Sequence, residues 1–265
     1  MQTEQPKRNP VKTALIERKV SLGTWIQFGH PGIAEVLAHA GFDWVAADCE
    51  HTEIDVEGFT ALARGMYGRS AVPLVRVREN DTLAIRQMLD TGAQGVIVPL
   101  VDTAADAKKA VSAAKFPPEG VRGFAYQRAN DYGISFDEYA ANSNDETIVV
   151  VMVESKQAVE NIDEILAVDG VDGVFIGPYD MSGSYGVIGQ TSHRDIIGAR
   201  NAVVAGCKRA AKSAGIHVVL PTKAAIESAL EDGFTFVALG MDNVFIEQGA
   251  SAALEIAGGC LPGSD

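Results

Sequence analysis

The sequence predicts a single (β/α)₈ (TIM) barrel, and three observations support this fold. First, the chain has 265 residues, of which 47% are hydrophobic, enough to bury one large core. Second, from residue 20 onward short runs rich in Val, Ile and Phe alternate with stretches of helical periodicity, which is typical of βα units around a parallel sheet. Third, there are eight such runs, and eight βα repeats in about 240 residues complete a barrel.

The eight predicted strands are spaced so that a helix fits after each of them. They are GTWIQF (23–28), DWVAAD (43–48), PLVRV (73–77), GVIVPLV (95–101), IVVVMV (148–153), GVFIG (173–177), HVVLP (217–221) and FTFVALG (234–240). A doubly wound open sheet is the alternative architecture, but no GxGxxG motif follows the first strand.

The intervening segments carry helix signals. Segment 81–92 begins at the candidate N-cap Asp81 and ends at Gly92, and segment 155–170 has an apolar stripe of helical period. Segment 102–147 is longer than one crossover helix requires, and loops of that length usually serve a site or an interface.

Composition restricts the classes of function. The net charge of −13 and the pI of about 4.8 disfavour a nucleic-acid partner. The sequence has neither a signal-peptide pattern nor the run of about 18 apolar residues that a membrane span needs, and its three cysteines lack metal-ligand spacing, which fits reduced thiols. We therefore expect a cytoplasmic protein with a tail and lead-in at 1–19, one barrel domain at 20–256 and a second tail at 257–265.

Ionisable side chains gather where four predicted strands end, which is where barrel enzymes carry their active sites. They are Asp48, Glu50 and His51 after strand two, Arg76 in strand three, Glu154 after strand five and Asp180 after strand six.

Glu154 and Asp180 together match the preference of a hard divalent cation, which takes one or two carboxylates and completes its shell with water and substrate oxygens. The alternative is that each acid caps the helix that follows it. Zinc is less attractive because no paired His or Cys accompanies the two acids.

Arg76 and His51 are the candidates for anion binding and proton transfer. Strand alternation sends Arg76 and Arg78 to the same side, and Arg76 is the better candidate for the barrel interior because Arg78 has acidic neighbours for a surface ion pair. His51 beside a metal would transfer protons, although a lone histidine is often structural. Lys223 is a further candidate, for Schiff-base chemistry, but it has the position of a solvent-facing helix start.

Six segments in the same order resemble the HpcH/HpaI aldolase family over residues 20–255. They are AGFDWVAADCEH, VRVREND, QMLDTGAQGVIVPLV, FPPEGVRG, VES and VDGVFIGPYDMS. The resemblance implies a modified TIM barrel of the phosphoenolpyruvate/pyruvate superfamily type. It also implies a class II aldolase, such as 4-hydroxy-2-oxo-heptane-1,7-dioate aldolase or 2-dehydro-3-deoxyglucarate aldolase, which cleaves a 4-hydroxy-2-oxo acid to pyruvate and an aldehyde through a metal-bound pyruvate enolate.

The resemblance also implies roles for individual residues. Glu154 and Asp180 are expected to bind Mg²⁺, Mn²⁺ or Co²⁺, His51 to act as base through a water, and Arg76 to bind pyruvate. The residues expected to bind substrate beside Arg76 are Trp25, Gly177, Pro178 and Tyr179. Asp48 and Glu50 are expected either to hold metal-bound water or to orient their neighbours.

Asp90 resembles the partner of the base, His51. Helix direction places it more than about 10 Å from the rim, since it lies about nine residues along a helix that rises ~1.5 Å per residue. We therefore expect Asp90 to reach a neighbouring subunit, and the resemblance implies a homo-oligomer, a hexamer built as a trimer of dimers. The alternative is that Asp90 has no role in a shared site and is only an exposed residue before a glycine that caps the helix.

The substrate is less well specified than the reaction. Met152 stands where many members have a Gln that reaches pyruvate, and the aldehyde is expected to contact the 124–133 loop, residues 220–222 and a partner chain. Two other functions remain open. One is a related lyase or synthase acting on oxaloacetate or an acyl-CoA, and the other is a non-catalytic metabolite-binding barrel.

Overall fold

The computed structural model describes residues 8–260 and confirms the barrel. Within these residues eight parallel strands close into one sheet, each paired with its sequence neighbours and the first paired with the last. The strands are β1 Ser21–Ile26, β2 Trp44–Asp48, β3 Val72–Arg76, β4 Gly95–Val98, β5 Ile148–Val153, β6 Gly173–Ile176, β7 Ser213–Val218 and β8 Phe236–Met241. The ring formed by their carboxyl ends is called the rim below.

Helices surround the strands. They are α1 Pro10–Glu17, α2 Pro31–His39, α3 Val56–Gly65, α4 Thr82–Asp90, α5 Ala104–Ala114, α6 Phe136–Glu146, α7 Lys156–Glu160, α8 Ile162–Leu166, α9 Pro178–Ser184, α10 Arg194–Ala210, α11 Lys223–Asp232 and α12 Asp242–Gly258, with a 3₁₀ segment at Arg128–Gly133. The predicted cap Asp81 accepts hydrogen bonds from the first turn of α4. The predicted helix 155–170 is two helices, because Asn161 leaves helical geometry and donates to the carbonyl of Asp102 (2.8 Å).

Aromatic side chains fill the barrel interior. Trp44 stacks on Phe236 with ring centroids 4.3 Å apart, and Trp25 meets Phe175 edge-on at 5.6 Å. All four side chains are buried. The lumen is therefore a packed core, as in other barrels of this kind.

Most predicted strands differ from the structure at one end or both, β4 for example ending at Val98 rather than at residue 101, and two of these shifts have a visible cause. β1 ends at Ile26 because the backbone N–H groups of Gln27 and Phe28 donate to the carboxylate of Asp242 rather than continuing the ladder (2.9 Å each). β7 begins at Ser213, four residues before the prediction, because its first residues are small. At Gly215 a Cβ would lie 2.6 Å from the ring of Phe175, so the packing of the core excludes the apolar side chain that would have marked a strand.

Helix α1 closes the end of the barrel opposite the rim. Its residues Val11 and Leu15 are buried against the interior core. Between them Lys12 forms an ion pair with Asp172 (2.7 Å) and donates to the carbonyl of Thr147 (2.9 Å). The predicted lead-in is therefore a structural plug from residue 10 onward. Residues 1–7 and 261–265 of the predicted tails lie outside the described residues.

The long loop between α5 and α6 also packs at the end opposite the rim. Arg128 donates to the carbonyl oxygens of Thr91 (3.0 Å) and Ala63 (3.1 Å), at the ends of helices that descend from the rim. The 124–133 loop, predicted to contact the aldehyde, therefore lies away from the rim of its own chain, because helix direction carries it there.

The last helix, α12, differs from the others in its surroundings. Of its residues Asp242 is buried, whereas Leu254 and Ile256 are 74% and 72% exposed. A groove of about 470 Å³ opens beside its first turns, between Phe245 and the apolar residues of α2. Over residues 8–260, none of the helices combines the length and apolar character required to span a membrane.

Candidate active site

Asp48 and Arg76 form the centre of the site. Sheet register places them side by side at the ends of β2 and β3. Arg76 donates from Nε to Oδ1 of Asp48 (3.0 Å) and from Nη2 to Oδ2 (2.7 Å). The planar edge that was expected to bind a substrate carboxylate is thus occupied by Asp48, and the part of the guanidinium that remains is Nη1.

Nη1 of Arg76 has weaker partners. It lies 3.3 Å from Oε2 of Glu50 and 3.8 Å from the sulfur of Met152, a poor acceptor. Within the described residues Oε2 of Glu50 is a buried oxygen without a hydrogen bond of good geometry. Nη1 is therefore the donor available to an incoming oxygen atom.

Trp25 and His217 support Arg76 from below. The guanidinium carbon of Arg76 lies 5.1 Å from the ring centroid of Trp25, which is 5% exposed. His217 packs near Trp25 and shares a hydrogen bond with the carbonyl of Gly240 (2.9 Å). Burial, partly offset by that hydrogen bond, lowers the pKa of His217 to about 4, so this histidine is neutral at physiological pH. Trp25, predicted to bind substrate, lies beneath the guanidinium.

Asp48 connects Arg76 to the loop that carries His51. Its Oδ1 also accepts the backbone N–H groups of Glu50 (3.1 Å) and His51 (3.2 Å). The imidazole of His51 is 57% exposed, and its Nε2 lies 3.6 Å from Oε2 of Glu50. The structure thus brings together Asp48, Glu50, His51 and Arg76, as predicted.

Glu154 enters the site from β5. Its side chain is buried, and Oε1 accepts the backbone N–H of Leu100 (2.7 Å), a residue with a positive φ of 54° at the end of β4. Gly177 permits this placement, because a Cβ there would lie 2.7 Å from Oε2 of Glu154. Pro178 begins α9, and Tyr179 and Asp180 follow it as exposed residues in the first turn.

Charge in the site is unevenly balanced. Burial raises the pKa of Asp48, but hydrogen bonds and charge from Arg76 lower it by more, so the net pKa lies below its usual range. Burial raises the pKa of Glu50 and raises that of Glu154 to about 7, and the charge of Asp180 adds to both shifts. One arginine therefore faces more carboxylates than it can neutralise.

This excess of carboxylate suits a divalent cation. Within residues 8–260, no three His, Cys, Asp or Glu side chains are arranged to hold a metal by themselves. A Mg²⁺-like ion, however, keeps several waters and takes only one or two carboxylates from the protein. The buried Glu154 and the exposed Asp180 fit that requirement.

Asp90 lies apart from this group. It ends α4, opposite the rim, and its Oδ1 accepts hydrogen bonds from Nη2 (2.8 Å) and Nε (3.3 Å) of the fully buried Arg122. Arg122 also donates to the hydroxyl of Tyr139 (3.0 Å). A buried cation thus accounts for an acid in the last turn of a helix, where the helix dipole disfavours one.

The structure does not favour covalent catalysis by either of two other side chains, Lys223 and Cys49. The side chain of Lys223 is 87% exposed and faces Glu227, which does not favour Schiff-base chemistry. Burial raises the pKa of Cys49 to about 12, which makes it a structural thiol rather than a nucleophile.

Sequence reasoning missed three residues of the site. Gln27 donates to Asp48 (3.3 Å), Leu100 donates to Glu154, and His217 lies beside Trp25. Gln27 follows the truncated end of β1, and His217 lies in β7, whose start was misplaced. Had β7 been placed correctly, the alternation of His217 with Val218 would have indicated that the two side chains point to opposite faces of the sheet, with His217 toward the barrel interior.

Comparison with known proteins identifies the family to which these features belong. A model of the HpcH/HpaI aldolase/citrate lyase family matches residues 21–247. The chain belongs to this family. The predicted family and lyase class are therefore confirmed, and the protein is an aldolase-type enzyme.

Three relatives illustrate how close the match is. A hydroxypyruvate/pyruvate aldolase of Roseobacter denitrificans is 40% identical over 236 residues, which cover 88% of this chain and 91% of that protein. A 5-keto-4-deoxy-D-glucarate aldolase of Escherichia coli is 38% identical over 235 residues, with the same coverage. The crystal structure of a family member from Burkholderia cenocepacia is 32% identical, with a TM-score of 0.90, and covers 94% of this chain and 99% of that one.

Proposed function

We propose that this aldolase cleaves a 4-hydroxy-2-oxo acid to pyruvate and an aldehyde, reversibly and with a divalent metal ion. The observation that carries the proposal is Nη1 of Arg76, the donor that Asp48 leaves unused, which lies 3.3 Å from Glu50 and is also influenced by the charge of Glu154. A fixed cation next to a place for a metal suits a substrate that gains negative charge on oxygen as it reacts.

Arg76 stabilises that charge. Cleavage moves the electrons of the C3–C4 bond onto the C2 oxygen, which leaves pyruvate as its enolate and C4 as an aldehyde. Nη1 donates to the oxygen that becomes negative, while Asp48 holds the other edge of the guanidinium still. Because this donor is already oriented, the protein does not have to reorganise when the charge develops on the substrate oxygen.

His51 transfers the proton. The C4 hydroxyl must lose its proton as the bond breaks, and histidine is the side chain that exchanges protons near neutral pH. The imidazole of His51 is 57% exposed at the mouth of the site, and we expect it to act on the substrate through a water. Glu50 connects this imidazole to Arg76.

Glu154 and Asp180 are the residues that would hold Mg²⁺, Mn²⁺ or Co²⁺. When bound, such an ion acts as a Lewis acid toward the oxygens of the 2-oxo acid. The pair of oxygen ligands favours hard divalent ions over zinc. Gly177, Pro178 and Tyr179 border this position and are proposed to contact the substrate.

A panel of aldehydes tests the proposal. Pyruvate and hydroxypyruvate are each incubated with short hydroxyaldehydes and Mg²⁺ or Mn²⁺, and consumption of the 2-oxo acid is measured. We expect consumption only with metal and aldehyde together, abolished by chelation and restored by metal. Reaction with oxaloacetate or an acyl-CoA in place of these substrates would instead identify a related lyase or synthase, and inertness toward all of them would indicate a binding protein.

We further propose that the protein is a cytoplasmic homo-oligomer, a hexamer built as a trimer of dimers. Three free thiols fit a reducing compartment. The apolar residues that α12 exposes, and the groove beside its first turns, support a second copy as their partner. The remaining oxygen of Asp90, at the barrel end opposite the rim, would then face the His51 of a neighbouring subunit.

Mixing two inactive chains tests the shared site. Asp90→Asn keeps an acceptor for Arg122, and His51→Ala removes the base. Each variant alone is expected to lose most of its turnover, and an equimolar mixture refolded together is expected to recover up to about a quarter of wild-type activity, because one site in four then pairs both native residues. Thermal melts check that both parents fold. A mixture no more active than its parents would show that Asp90 acts within its own chain.

A further inference from the structure

A chain of hydrogen bonds joins the start of α12 to the carboxylate that holds Arg76. Asn243 donates from Nδ2 to Oε1 of Gln27 (2.7 Å), and Gln27 donates from Nε2 to Oδ2 of Asp48 (3.3 Å). Because a carboxylate only accepts hydrogen bonds, the contact with Asp48 fixes the orientation of the Gln27 amide. The chain of hydrogen bonds therefore has one direction, with both amides donating toward Asp48.

The backbones that carry the two amides, Gln27 and Asn243, are held independently of these side chains. The buried carboxylate of Asp242 accepts the N–H groups of Gln27, Phe28 and Asn243 at 2.9 to 3.0 Å. The segment after β1 and the first turn of α12 are thus tied together without the two amide side chains. What the amides add is a contact with Asp48.

We propose that Gln27 and Asn243 are positioning residues, which fix the Asp48 carboxylate and through it the Nη1 group of Arg76. The inference rests on the proposed function. Oδ2 of Asp48 accepts a hydrogen bond from Arg76 Nη2 in β3 and another from Gln27, which follows β1, so a rotation of the carboxylate breaks a contact in either direction. The orientation of Asp48 also sets the His51 backbone, so both reacting groups depend on it.

The direction of this chain of hydrogen bonds gives a test. In Asn243→Asp the new carboxylate competes with Asp48 for the amide NH₂ of Gln27, which turns the amide over and places Oε1 against Asp48. Asn243→Ala removes the outer contact but leaves Gln27 free to donate to Asp48. We expect kcat/KM and oxalate affinity to fall about tenfold in Asn243→Asp and by less than about threefold in Asn243→Ala.

A role in packing alone predicts the opposite order. Asp has nearly the shape of Asn and is favourable in the first turn of a helix, whereas Ala leaves a gap. The control for the added charge is Asn201→Asp, at an exposed position of α10. It is expected to keep kcat/KM within about twofold of wild type. Equal effects of Asn243→Asp and Asn201→Asp would overturn the proposal.

Oxalate calorimetry separates this inference from the proposed function. If the wild type turns over and binds oxalate, but Asn243→Asp does so equally well, the positioning role is wrong while the function stands. If the wild type does neither, the proposed function is wrong, and crystal structures of the wild type and Asn243→Asp still decide the positioning role. A turned Gln27 amide with lengthened contacts between Asp48 and Arg76 supports it, and unchanged contacts refute it.

Discussion

Replacing Glu154 by glutamine is expected to lower turnover by about 10³-fold while the barrel stays folded. Glutamine keeps an acceptor for the N–H of Leu100 and the shape of the side chain, but it removes the charge that would hold a divalent ion. Steady-state assays with saturating Mn²⁺ or Mg²⁺ measure the loss. The matched control is Asp55→Asn, which removes a charge from the same rim but can still cap α3. A comparable loss of turnover in both variants would contradict the assignment of Glu154 as a metal ligand.

The same variant has an expected effect on stability, with a definite sign. Burial raises the folded-state pKa of Glu154 to about 7 from the ordinary 4.5, so the folded protein binds more protons than the unfolded chain between these values. Without metal, the free energy of unfolding of the wild type should therefore fall as pH rises from about 4.5 to 7, by up to about 3 kcal/mol. Glu154→Gln should lack this component, as urea titrations at several pH values would show.

Arg76→Lys is expected to lower kcat/KM by about 10²-fold and to weaken oxalate binding. Lysine keeps the charge, but it cannot satisfy both oxygens of Asp48 and also present a donor to the substrate. Isothermal titration with oxalate reports the substrate side, and the urea midpoint reports the fold. Arg78→Lys is the control, because Arg78 is exposed two residues further along the chain. Oxalate binding unchanged in Arg76→Lys would mean that Nη1 does not face the substrate.

The fold was predictable because strands covered on both faces read as continuous apolar runs. β5 coincides with the run IVVVMV at both ends for this reason. β7 departed from the prediction where its residues are small, at Gly215, since the aromatic rings of the lumen take the space that a side chain would need. Local hydrophobicity cannot reveal which strand residues face a crowded centre.

The site was predictable where strand ends and alternation decide it. Alternation placed Arg76 and Arg78 on the same side, and the acidic neighbours of Arg78 selected Arg76 for the interior. In the structure Arg76 is largely buried and Arg78 is exposed. What Arg76 contacts was not predictable, because its pairing with Asp48 depends on the register between two strands. The Arg122 partner of Asp90 was equally hidden, since it arrives from a loop 32 residues away in sequence.

The aromatic layer beneath Arg76 has a consequence for changing the substrate range of this enzyme. Trp25, Trp44, Phe175 and Phe236 pack against one another, so enlarging the pocket downward removes core volume and with it stability. The loops that leave the rim carry no such penalty. Natural divergence or directed evolution toward new aldehydes would therefore accumulate substitutions in the loops around the rim and leave the aromatic layer unchanged.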